Sequence, residues 1–125
     1  MYPDLASFIE ALDRAGELAR IDARVSPVLE ITEIADRQSK SPAPCAASEA
    51  TQRNDPRFHH IGGKALLFTN VEGSDRPLLI TAFGSYRRMQ MAMGSQRWGE
   101  DGLESLAATI AELTKPEPPR GLGEA

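Results

Sequence analysis

Between Gly62 and Gly94 the chain carries two short apolar runs, Ala65-Leu66-Leu67-Phe68 and the stretch 78–83, each fenced by turn residues. Runs too short for a helix and without polar alternation are how strands buried on both faces usually read. Between them, Gly73, Ser74 and Asp75 suit a tight reversal and Pro77 suits a strand entrance, so the two strands are expected to be sheet neighbours. After Gly84-Ser85, the methionines Met89, Met91 and Met93 alternate as in a strand, yet the good helix formers around them and the cap at Ser85 favour a short helix ending at Gly94.

Upstream, Leu5, Phe8, Ile9 and Leu12 fall on one helical face behind a capping Asp4, and Gly16 can end that helix in the left-handed conformation. Ala19, Ile21, Ala23 and Val25 alternate with Arg20, Asp22 and Arg24, the pattern of a strand with one wet face. A second helix is expected from Ser26-Pro27, with the proline at its first position and Val28, Ile31 and Ala35 as the buried stripe. Glu33 and Arg37 stand four apart on its surface, a pair worth about 0.2–0.5 kcal/mol. Residues 41–61 lose all periodicity and read as a long loop insertion. A last helix is expected from Leu103, Leu106, Ala107, Ile110 and Leu113, with Glu100 and Asp101 near its positive end, and the prolines from Pro116 onward form a stiff spacer. The sum is an α+β domain over residues 1–115, a sheet of about three strands packed by four helices, followed by a proline-rich linker at 116–125.

One such domain is what 125 residues with 41% hydrophobic and 26% charged side chains can build. Eighteen acidic against fourteen basic side chains, interspersed, leave no face suited to nucleic acid. No apolar run reaches the length of a membrane span, the N-terminus lacks the features of a secretion signal, and a single Cys45 fits a reducing compartment; the expected location is the cytoplasm.

Chemistry-bearing residues are sparse. His59-His60 would need a loop geometry and Asp55 to hold a metal, and solvent-exposed loop histidines are the simpler reading. Cys45 has no neighbouring signature of a catalytic base, although His59 or His60 could fold back to it. Gly62-Gly63-Lys64 precedes a strand, the reverse of the phosphate-cradling order. Gly84-Ser85 with Arg87 and Arg88, at a strand-to-helix switch, is the better anion candidate, against ordinary capping with surface-paired arginines. The methionines read as core or domain-interface packing, and Trp98 as an interface plug whose indole needs a hydrogen-bond partner if buried. Glu30 with Glu33, and Glu100 with Asp101, are acids near helix starts that need no catalytic purpose.

The order of residues in the 62–94 block, together with Leu5-Ala6-Ser7-Phe8-Ile9, Gly16-Glu17-Leu18-Ala19-Arg20-Ile21, Glu30-Ile31-Thr32-Glu33-Ile34-Ala35-Asp36-Arg37 and Leu113-Thr114-Lys115-Pro116-Glu117-Pro118-Pro119-Arg120-Gly121-Leu122, resembles the N-terminal region of the UbiD-type carboxy-lyases. That resemblance implies an intact enzyme that decarboxylates aromatic or α,β-unsaturated acids, among them precursors of ubiquinone or menaquinone, with prenylated FMN and manganese. It also implies a flavin-binding domain beginning just past Ala125 and a homo-oligomeric assembly. The family's catalytic glutamates and arginine and its metal ligands match no position here. No catalytic, cofactor-binding or metal residue is therefore assigned within the chain, and neither the flavin nor the metal is expected to bind it alone.

Overall fold

A computed structural model describes residues 2–94 and 102–116. Three strands, β1 (Leu18–Ile21), β2 (Ala65–Phe68) and β3 (Leu78–Ile80), form one sheet in the order β1-β2-β3, with β1 parallel and β3 antiparallel to β2. Five helices are described: α1 (Leu5–Arg14), α2 (Glu30–Ser39), α3 (Glu49–Asn54), α4 (Tyr86–Ala92) and α5 (Gly102–Leu113). The architecture is α+β, as the apolar runs and helical spacings predict, with one helix more than expected.

Helices cover both faces of the sheet. Phe8, Ala11 and Leu12 of α1 and Met91 of α4 pack on Leu18, Ala65 and Leu67; Ile31 and Ala35 of α2 pack with Val25 and Val71 on Leu66 and Phe68. This is why all four residues of β2 are buried. At about 25 cal/mol per Å2 of apolar surface removed from water, such two-sided burial is the main stabilising term for the strand. Asp4 caps α1 by accepting from Ser7 N at 2.7 Å, and Gly16, at φ 73°, follows its end. Glu33 and Arg37 pair at 2.7 Å on the surface of α2.

Several boundaries differ from the expectation for physical reasons. β1 stops at Ile21 instead of running to Val25, because Asp22 turns to take a hydrogen bond from the Thr69 hydroxyl; the chain rejoins the sheet only through a bridge between Val25 and Val71. Pro27 does not open α2. Ser26 Oγ accepts from Val28 N, Glu30 reaches back to accept from Ser26 N, and Leu29, at φ 67° and ψ −34°, forms a three-residue turn in which Glu30 N donates to Val28 O. The helix therefore starts at Glu30, and Val28, expected in the core, is exposed. β3 ends at Ile80 because Thr81 adopts φ 58°, leaving Ala82 and Phe83 outside the strand.

The 41–61 segment is not structureless. Ser48 caps α3, whose Thr51 is buried, and the base of the segment is closed by Gly62 N and Gly63 N both donating to Ser41 O. In α5 the expected apolar stripe is left largely uncovered, with Ile110 and Leu113 exposed. A polar contact ties this helix to α3: Thr51 Oγ1 donates to Glu104 Oε1 at 2.7 Å. Trp98, Glu100, Asp101 and the linker beyond Pro116 lie outside the described residues.

Candidate functional site

The strand-to-helix switch after β3 is where the sequence concentrates its chemistry, and Ser85 does cap α4, its hydroxyl accepting from Arg88 N. Helical phase then decides the fate of the two arginines. Arg88 lies one turn from Met91 on the inward face, so both are buried, while Arg87 points to solvent. Arg88 is completely enclosed. Its Nη1 donates to Glu17 Oε2 at 2.9 Å and to Gly63 O at 2.6 Å, Nη2 to Gly62 O at 2.7 Å, and Nε to Thr81 O at 3.2 Å. Burial pulls the guanidinium below its ordinary pKa and the Glu17 carboxylate opposes that shift.

Each partner is shaped for this cation. Gly62 at φ 125° and Gly63 at φ 47° turn their carbonyls toward it, and a Cβ on either would collide with Gly84 O or Gln38 O. Thr81, a β-branched residue in the left-handed region, is sterically costly. Its carbonyl is fixed by Arg88 Nε and by Gly84 N at 3.0 Å. Glu17, between α1 and β1, is also fully buried, with Oε2 on Arg88 and Oε1 without a hydrogen-bond partner.

Arg88 is therefore an internal staple, not an anion receptor: of the two readings, ordinary capping holds at Ser85, but the acid that pairs with Arg88 is the buried Glu17 and not a surface one. Gly62-Gly63, weighed as a phosphate cradle, instead cradles a guanidinium of the same chain. The sequence's one signal of this buried Glu-Arg pair is the i, i+3 step from Arg88 to Met91, which puts the arginine on the core stripe.

The remaining candidates scatter. His59 and His60 contact one another edge to face at 5.3 Å. Asp55 accepts from Tyr86 Oη at 2.8 Å, and this bond holds its carboxyl below the usual value of 3.8 while raising the phenol above 10.0. Among the described residues no three His, Cys, Asp or Glu side chains converge to hold a metal. Burial, reinforced by Glu17, pushes the Cys45 thiol above its ordinary 9.0, which disfavours the nucleophilic thiolate. Of Met89, Met91 and Met93, Met91 is core and the other two are exposed.

Two depressions flank the switch. A polar cleft of about 530 Å3 lies between α3, α4 and α5, with Arg53, Arg87, Glu49 and Glu104 on its walls. An apolar groove of about 360 Å3 is lined by Phe58, Ile61, Phe83, Gly84, Met89 and Leu103. Phe58 and Phe83 remain 54% and 60% exposed, although Phe83 stacks on Phe8 with centroids 6.1 Å apart.

A family model described as the 3-octaprenyl-4-hydroxybenzoate carboxy-lyase N-terminal domain matches residues 9–110, a span that contains the strands, the staple and both depressions. The chain belongs to that family. This carboxy-lyase N-terminal domain thus spends its buried arginine on its own backbone and turns an apolar groove outward. Among its described residues no helix is long and apolar enough to cross a membrane.

Proposed function

We propose that this chain is the architectural N-terminal module of a prenylated-FMN-dependent decarboxylase of aromatic or α,β-unsaturated acids, with a hydroxybenzoate- or naphthoate-like quinone precursor as substrate. Membership of a carboxy-lyase family supports the reaction class. The observation that carries the architectural role is the fate of Arg88, the best-placed anion-binding side chain in the sequence, whose hydrogen bonds all go to Glu17 and to backbone carbonyls. When bound in the intact enzyme, the flavin supplies the electron sink for loss of CO2. Among the described residues no cluster of His, Cys, Asp or Glu side chains would hold manganese.

The domain's contribution is a surface. The groove between Phe58, Phe83 and Met89 presents aromatic and thioether side chains of the kind enriched at protein interfaces. The partner this reading assigns to it is the flavin-binding domain of the same homo-oligomeric enzyme. The test mixes the 125-residue chain with prenylated FMN, Mn2+ and a hydroxybenzoate: no CO2 is expected, and turnover by this chain alone would overturn the proposal. The same groove favours one second reading, a non-catalytic accessory domain that lends its surface to another complex; co-purification with a flavin-binding domain supplied in trans favours the first reading over the second.

A further inference from the structure

Helix α5 carries its large apolar side chains in single file. Leu103, Leu106, Ile110 and Leu113 follow at steps of three, four and three, the spacing of a seam that packs along another helix. The domain itself uses only the first half of this seam. Leu103 and Leu106 are half-buried, and Leu103 also lines the apolar groove; Ile110 and Leu113 are 52% and 80% exposed, and residues 107–116 are all exposed. A helix of 12 residues is marginal in water on its own, so its bare last turns gain from a covering partner. The charged groups of α5 are engaged away from the seam: by helical phase Glu104, which accepts from Thr51, and the Glu112–Lys115 pair lie on the opposite side. Thr109 and Thr114, which flank the seam, turn their hydroxyls back to Ser105 O and Ala111 O. The strip is therefore free of charge and of unsatisfied side-chain donors, and can be covered without a desolvation penalty on polar groups.

We propose that this seam pairs with the same seam of a second copy of the chain, the two α5 helices lying antiparallel. The spacing is self-complementary, as a two-fold contact requires. In the antiparallel pair Leu103 meets the second copy's Leu113 and Leu106 meets its Ile110, so the bare end of each helix rests on the half-covered end of the other. A parallel pair would instead set the two bare ends together and leave the half-buried leucines as they are. No like charges face each other across the contact, because the acids and the lysine are on the far side of both helices. Four apolar layers along about 18 Å of helix bury less than the roughly 1,200–2,000 Å2 of stable interfaces, so the dimer is weak and concentration-dependent. The pairing goes beyond the reaction proposed above and does not depend on it.

The test is sedimentation equilibrium of the full chain at rising concentration, where the apparent mass should climb from one chain toward two. Ile110→Lys, at an exposed position outside the core, should weaken association several-fold with the circular dichroism of the domain unchanged, and Glu112→Ala, on the far side of the helix, should leave it as it is. A chain that stays monomeric throughout, or an Ile110→Lys variant that associates as well as the unsubstituted chain, would overturn the pairing. Orientation is read by crosslinking in a Cys45→Ser background: on mixing, Leu103→Cys and Leu113→Cys chains should form the mixed disulfide in excess over either symmetric one, and a symmetric excess would overturn the antiparallel arrangement. If a flavin-binding domain supplied in trans slows amide exchange at Ile110 while the chain alone stays monomeric, that domain is the occupant and the proposal fails, with the architectural reading left standing.

Discussion

Arg88 of α4 and Glu17 at the entrance to β1, 71 positions apart, meet at 2.9 Å with neither side chain exposed to solvent. The pair ties the sheet's first strand to the helix that follows its last. Removing charges from water is costly, and the Coulombic gain of such a pair is offset by desolvation unless further hydrogen bonds complete it. Here the carbonyls of Gly62, Gly63 and Thr81 complete it on the arginine side.

Arg88→Met leaves Glu17 buried without its cation and should destabilise the domain by about 3–5 kcal/mol, read as a shift of the urea midpoint. Substituting both partners by apolar residues rescues many buried pairs, but Glu17→Leu with Arg88→Met is expected to recover only part of the loss. Thr81 O keeps Gly84 N, yet Gly62 O and Gly63 O lose their donors, at about 1–3 kcal/mol each. Full recovery in the double variant would refute the role assigned to the carbonyls.

Gly62→Ala and Gly63→Ala should each cost about 2 kcal/mol or more, since both positions have positive φ and the added methyl meets backbone oxygen that a rotamer change cannot move. Gly73→Ala, also at positive φ but facing open space, serves as the control and should cost less. Thermal melts of the three variants order them.

Leu29 offers the reverse experiment. Its turn is of the rare, strained three-residue kind, and its side chain is 77% exposed, so little packing is lost on truncation. Leu29→Gly should raise stability by about 0.5–1 kcal/mol, the relief of strain exceeding the added flexibility of the unfolded chain.

The Tyr86–Asp55 bond gives a pH signature. Asp55 has a lowered folded pKa, so its contribution is present above its ordinary value of 3.8 and is lost as pH falls through the folded value. Tyr86 has a raised one, so its contribution is present below 10.0 and is lost as pH rises through the folded value. Tyr86→Phe should flatten the stability profile at both edges, which denaturant titrations across that range would show.

Phe83→Ser should cost the domain about 0.5–1.5 kcal/mol, the worth of its stacking on Phe8. Phe58→Ser, on the opposite rim, should leave the fold intact. If the groove receives the flavin-binding domain, both should weaken capture of that domain in a pull-down, and unchanged capture would move the contact elsewhere.

The sequence made the frame legible where local chemistry and burial agree. Asp4 and Ser85 are side-chain caps, Phe8 and Leu12 share a helical face, and β2 is apolar throughout because helices lie on both sides of it. It misled where one contact overrules a residue's own preference. Pro27 has the chemistry of a helix start, but the reach of Glu30 back to Ser26 N moves that start past it. α3 went unseen because one turn and a half with a single buried residue, Thr51, has no stripe to read. Arg87 and Arg88 are neighbours of one type, and only packing against Glu17 and two glycine carbonyls tells them apart.

The mixed pairing of β2 sets an order for folding. Its antiparallel partner β3 follows after residues 69–77, a connection far shorter than the one back to β1, so that hairpin can close early. Its parallel partner β1 must wait until α2 and the whole 41–61 excursion are gathered in, a larger loop with a larger closure entropy. Docking of β1, which brings Glu17 to Arg88, is thus the step that should limit the folding rate.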